Sequence, residues 1–208
     1  MKSTFRLAVF AALAASAVAA NATVTIYFST LYTGVTPNGA IPWATLTITD
    51  GANAGDVDFS LTTDLASPQF LSQLMLNTVA NPSGMTMSAS SGTFSFAASE
   101  DGFSDAGQQF DVKIGFPTAN NGTRIDNTNS ATWTLSQNGL TENSFSALST
   151  PSHDDDEDGI EALLHVQGIP DGDEGTSSGK ITPGPVPEPA SLATLGLGAL
   201  ALLRRRKK

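Results

Sequence analysis

Apolar residues recur at every second position in one short run after another along this chain. Val24, Ile26 and Phe28 follow this rule, as do Ala44, Leu46 and Ile48, then Val57, Phe59 and Leu61. Later come Phe110, Val112, Ile114 and Phe116, Trp133 with Leu135, and Ile160, Ala162, Leu164 and Val166. A period of two sends successive side chains to opposite sides of a pleated strand, so each run reads as a strand with one face in a core and one in solvent. Between the runs stand Asp50-Gly51-Ala52-Asn53, Asn81-Pro82-Ser83-Gly84 and Asn120-Asn121-Gly122, residues that adopt turn conformations at little cost. The segment Ser67 to Leu76 opens with a plausible helix cap, yet Phe70, Ser72, Leu74 and Leu76 alternate, and it is read as a strand. The pattern predicts an all-β fold, an antiparallel β-sandwich of jelly-roll type.

The chain has no cysteine, which rules out disulfides, thiolate chemistry and zinc-thiolate sites. Stability must come from a core, and residues 23–169 are enough for one domain that buries a large share of its surface. Residues 170–184 combine Asp171, Asp173 and Glu174 with Gly175-Thr176-Ser177-Ser178-Gly179. That composition predicts a flexible acidic linker.

Both ends read as targeting segments. Lys2 and Arg6 precede an Ala/Val/Leu/Phe run from Leu7 to Ala20 with small-residue sites around Ala17 to Ala22, the pattern of a secretory signal peptide over residues 1–22. At the other end, Pro183, Pro185, Pro187 and Pro189 keep the backbone extended, so a helix can start only at about Ala190. From Ala190 to Leu203 such a helix rises about 21 Å, against a hydrocarbon core of roughly 30 Å. Six leucines favour insertion, whereas Ser191, Thr194, Gly196 and Gly198 do not, so this short transmembrane helix is a marginal permanent anchor. Arg204, Arg205 and Arg206, followed by two lysines, form a cationic stop that holds the C-terminus in the cytoplasm.

Val186-Pro187-Glu188-Pro189-Ala190-Ser191, the Leu/Gly/Ala helix and the basic block together resemble the PEP-CTERM sorting signal of Gram-negative bacteria. The resemblance spans residues 185–208. It implies that Pro187, Glu188 and Pro189 form a sorting motif read by an exosortase after export by the secretion machinery. The protein would then sit transiently in the inner membrane before reaching the cell surface or extracellular matrix. The middle of the chain also resembles the bodies of some PEP-CTERM proteins, through Trp43-Ala44-Thr45-Leu46-Thr47, Phe110-Asp111-Val112, Leu140-Thr141-Glu142-Asn143-Ser144-Phe145 and His165-Val166-Gln167-Gly168-Ile169. This second likeness implies a β-sandwich and no particular activity, and Asp154 to Asp158 departs from it.

Seven of the ten basic residues lie in the two terminal segments, leaving Lys113, Arg124 and Lys180 between them against nineteen of the twenty acids, all but Glu188. Nucleic acid and anionic membrane surfaces are therefore poor partners for the exported part. Asp154, Asp156, Asp158 and Gly159 match the first half of an EF-hand-like calcium loop. The twelfth position is His165 rather than the closing Glu, so calcium is weighed against a solvated acidic loop. Thr45, Thr47 and Thr49 share one strand face, and a single row of this kind reads as solvated strand rather than as an array for ice or sugar. His153 and His165 read as solvated or hydrogen-bonded histidines rather than a catalytic pair. Tyr27, Trp43, Trp133 and Phe145 have the chemistry of a sugar platform but sit at positions expected to be core. No phosphate-binding glycine loop, GxSxG elbow or HExxH helix is present.

The expected function is that of a non-enzymatic envelope or matrix protein associated with exopolysaccharide in a biofilm. The alternatives are a calcium-dependent carbohydrate-binding module and a protein held simply by one C-terminal transmembrane helix.

Overall fold

The computed structural model describes residues 23–89, 94–152, 158–171 and 175–184. The expected signal peptide and C-terminal helix lie outside them. Among the described residues the strands are β1 (Thr23–Gly34), β2 (Gly39–Asp50), β3 (Asp56–Leu65), β4 (Phe70–Leu76), β5 (Thr86–Ala89) and β6 (Ser95–Asp105). They continue as β7 (Gln108–Gly115), β8 (Ala131–Ser136), β9 (Thr150–Pro151), β10 (Ala162–Pro170) and β11 (Thr176–Pro183), with one 3-10 turn at Glu142–Phe145. The alternating runs become strands as their periodicity demands. Ile26, Phe28, Leu46, Ile48, Val57, Phe59, Leu61, Trp133 and Leu135 are all buried, while their hydroxyl-bearing neighbours face out.

The strands pair antiparallel in one sheet of order β5-β8-β3-β2-β1-β11-β10-β4-β7-β6, with β9 against β7. The all-β, antiparallel expectation therefore holds, but the two separate sheets of a jelly-roll sandwich are replaced by one continuous ladder. The cause lies in residues expected to be a flexible linker. Residues 176–183 form β11, which pairs with β1 on one side and β10 on the other and so joins two half-sheets. Within β11, Gly179, Ile181 and Thr182 are buried.

The sheet rolls because its middle strands are bulged. Against β11, β1 carries one extra residue at Ser29 and another at Tyr32. An extra residue also stands at Gly168 of β10, whose φ is 72°, and at Ser72 of β4. Each bulge sharpens the local twist and bends its strand. The bulge at Ser72 also shifts the parity of β4, so Leu71, rather than Phe70, joins Leu74 and Leu76 in the main core.

Rolling brings the two halves face to face over one core that includes Phe28, Leu46, Phe59, Leu74, Ile114, Trp133 and Leu164. Trp133 stacks on Phe59 at 5.1 Å, and Phe94 and Phe116 reach it from the opposite end of the sheet, each at 6.1 Å. The 3-10 turn inserts Phe145 edge-on against Phe59 at 5.0 Å. Each such side chain contributes on the order of 1.5–3 kcal/mol by leaving water.

A second, smaller cluster lies on the outer face of the β11-β10-β4 half. The β6–β7 hairpin bends over this face, where Phe103, Ala106 and Phe110 pack with Tyr32, Met75, Ile160 and Leu163. Its two-residue turn, Ala106-Gly107, has φ of 51° and 80°, the left-handed pair that suits the twist of a tight hairpin. At the tip, Asp105 forms an ion pair with Lys180 and accepts a hydrogen bond from Gln73 at 3.2 Å.

Candidate functional site

The C-terminal junction is set by β11. Proline follows its last inward pair at Pro183, and Gly184 then donates its N–H to the Tyr27 carbonyl at 3.1 Å. A side chain at Gly184 would run into Ser29 and Thr30 of β1, so the backbone lies flat on the sheet up to this residue. The next residue opens the proline-rich segment. Pro187, Glu188, Pro189, Arg204, Arg205 and Arg206 all lie outside the described residues.

Asp154 and Asp156 also lie outside them, as does His153, while Asp158 is exposed. Among the described residues no cluster of His, Asp or Glu is grouped to hold a metal ion. His165 projects from β10 between Lys180 and Gln73 of the flanking strands. It is half-buried. Burial, then the Lys180 ammonium, hold its imidazole below the ordinary range, with Asp105 acting in the opposite sense. It is thus part of a polar cluster that ties the hairpin tip to the sheet.

Trp43, Trp133 and Phe145 are core residues, and only Tyr27 of the four aromatics has a face outside. Two acidic arrangements were not visible in the sequence. Asp50, at the end of β2, accepts the Glu142 backbone N–H at 3.0 Å, and the two carboxyl groups meet. Hydrogen bonding to Asp50, then burial, raises the Glu142 carboxyl above its usual range. Side chains in direct contact leave no room for the intervening substrate that paired hydrolytic carboxylates require. The second arrangement is Asp111, whose oxygens accept the backbone N–H groups of Thr78 at 3.1 Å and Asp101 at 2.8 Å. Its own N–H donates to Asn77 Oδ1 at 3.2 Å. Asp111 thereby fastens β7 to the loop after β4 and to the irregular middle of β6, beside an open groove of about 450 Å³ with Val79 and Leu148 exposed on its rim. Both carboxylate oxygens are committed to the backbone, which is a structural use of the group.

The most ordered surface is the outer face of the other half-sheet. Strand register places Thr25, Thr47, Ser60 and Thr132 in one row across β1, β2, β3 and β8. A second row runs Thr23, Thr49, Asp58, Thr134 and Ser88, and a third Tyr27, Thr45 and Thr62. The single threonine row expected from β2 is therefore repeated on its neighbours, and the sequence reading is corrected on that point. The motifs Thr23-Val24-Thr25, Ser60-Leu61-Thr62 and Thr132-Trp133-Thr134 were legible, but only pairing shows that they align. Asp58 accepts a hydrogen bond from the Thr134 hydroxyl. Asp56, beyond the rows, is held below the usual carboxylate range by the Ser136 hydroxyl and the Asn53 amide.

Residues 185–207 match the PEP-CTERM protein-sorting motif. The match includes Pro187, Glu188, Pro189 and the three arginines, and it marks the chain as an exported, membrane-transiting protein whose processing partner is an exosortase. No curated protein and no solved structure matches the chain. Among the described residues no helix is long and apolar enough to cross a membrane.

Proposed function

We propose that this is a non-enzymatic protein of the cell surface or extracellular matrix, delivered through the inner membrane by its C-terminal motif and associated there with exopolysaccharide. The carrying observation is the position of the motif. It begins at residue 185, directly after a body whose last strand is locked between β1 and β10. The exported unit is thus one β-body with an address joined to it. Its acidic surface keeps it soluble and turns it away from anionic lipid headgroups. Asp111 is engaged with backbone and Asp50 with Glu142, which favours a structural over a hydrolytic role for these three carboxylates.

Replacement of Pro187, Glu188 and Pro189 by alanine tests the delivery. The expected result is full-length protein retained in the inner-membrane fraction, where the parent chain is released to the surface fraction. Equal release of the variant contradicts the reading. Retention of both proteins in the inner membrane instead assigns the tail to simple single-helix anchoring.

A further inference from the structure

We propose that the hydroxyl-bearing outer face of β1, β2, β3, β8 and β5 binds an extended chain of neutral polysaccharide. The proposal deepens the matrix role above by giving it a surface, and it rests on that reading for its biological setting. The face is a grid. Neighbouring strands stand about 4.8 Å apart and alternate residues along a strand about 6.8 Å apart, so the three aligned rows present hydroxyls at regular intervals in two directions. Thr47, Thr49, Asp58, Ser60, Thr132 and Thr134 line a shallow depression of about 270 Å³ at its centre.

Threonine is a good strand former on any solvated face, and that accounts for some of it. It does not account for what is missing. The three rows hold no Lys, Arg or Glu, and Asp58 is their sole charge. The outer face of the other half-sheet, on β4, β7, β10 and β11, carries Gln73, Lys113, His165 and Lys180 and is partly roofed by the bent hairpin. One outer face is therefore covered and carries cations, and the other is open, holds no Lys or Arg, and is charged only by the β3 aspartates Asp56, Asp58 and Asp64.

The chemistry of that open face selects its ligand. A hydroxyl offers one donor and two acceptor sites, the same set that a sugar hydroxyl offers in return. Threonine is stiff at χ1, so it gives up little rotamer freedom when it is immobilised by a ligand. An anionic polymer is repelled by a body in which acids far outnumber bases. A planar lattice such as ice is a poor fit, because adjacent strands are rotated by roughly 20–25° and the face is accordingly twisted. A flexible neutral chain can follow the twist and collect many weak contacts along its length.

Native affinity electrophoresis of the full chain in mild detergent tests this, with dextran or hydroxyethyl cellulose in the gel and alginate as the anionic comparison. Retardation by a neutral polymer is expected, with about a tenfold weaker apparent affinity for a Thr25→Val, Thr47→Val, Ser60→Ala variant. Should that variant lose its native mobility in polymer-free gels, Thr47→Lys takes its place, adding a solvated charge at the grid's centre. Undiminished retardation of the grid variants places binding elsewhere and overturns the proposal. So does absence of retardation by either neutral polymer, retardation by alginate alone, or growth inhibition and faceting of ice crystals without polymer binding. Because the assay uses no cellular sorting, its failure is distinct from failure of the delivery experiment.

Discussion

At the scale of single residues, the Asp50–Glu142 contact shows how a carboxylate can be placed for packing at an electrostatic cost. The 3-10 turn that inserts Phe145 into the core brings Glu142 against the end of β2, where its carboxyl is raised by hydrogen bonding to Asp50 and by burial. A carboxyl whose folded value lies above its unfolded one holds its proton in the folded state over the interval between them. The unfolded chain binds fewer protons there, so stability falls as pH rises above about 4.5. Glu142→Gln keeps a donor toward Asp50 and removes the charge. Thermal unfolding is expected to show the variant about 2–4 °C more stable than the parent at pH 7, the equivalent of ~1 kcal/mol in a domain of this size. The difference should vanish near pH 4, and a Tm shift of equal size at both pH values would contradict the assignment.

At the scale of elements, β11 decides the architecture and was the least legible strand. Its inward positions are Ser177, Gly179 and Ile181, so the usual sign of a buried strand is reduced to one large apolar residue. Gly179 is required there because a side chain would meet the Val35 carbonyl of the neighbouring segment. A residue chosen for close backbone approach looks, in the sequence, like part of a Gly/Ser linker. Runs such as Val57 to Leu61 were legible because their inward positions are filled by large residues that must leave water. The bulges at Ser29, Tyr32 and Ser72 were illegible, since the extra residue in each is defined only by its partner strand. Among candidate site residues the same division holds: the proline motif is contiguous and could be read directly, while the hydroxyl grid depends on register. The role of β11 predicts that a chain ending at Gly184 unfolds cooperatively, like the full-length protein. One ending at Asp171 leaves β1 and β10 with open edges and should lose cooperative unfolding by circular dichroism. Retention of a sharp transition in the shorter chain would restore the linker reading of residues 176–183.

At the scale of the whole molecule, the absence of a spacer couples folding to processing. From Gly184 to Pro187 the chain has three residues, which span roughly 10 Å when extended. A body of this length has a radius of gyration of about 15 Å, which exceeds the longest reach of those three residues. The central strand cannot dock until residues up to 183 have emerged, because β11 contributes hydrogen bonds to both half-sheets. Once docked, its backbone is held by two neighbours along its length and is closed to any enzyme that must bind an extended segment. Processing of the folded protein is therefore confined to the chain beyond Gly184. The intact mass of the surface-located protein is expected to correspond to a C-terminus after residue 184. A C-terminus within residues 171–183 would mean that the body reaches the surface without its joining strand, and that the closed core described here is not the form that is displayed.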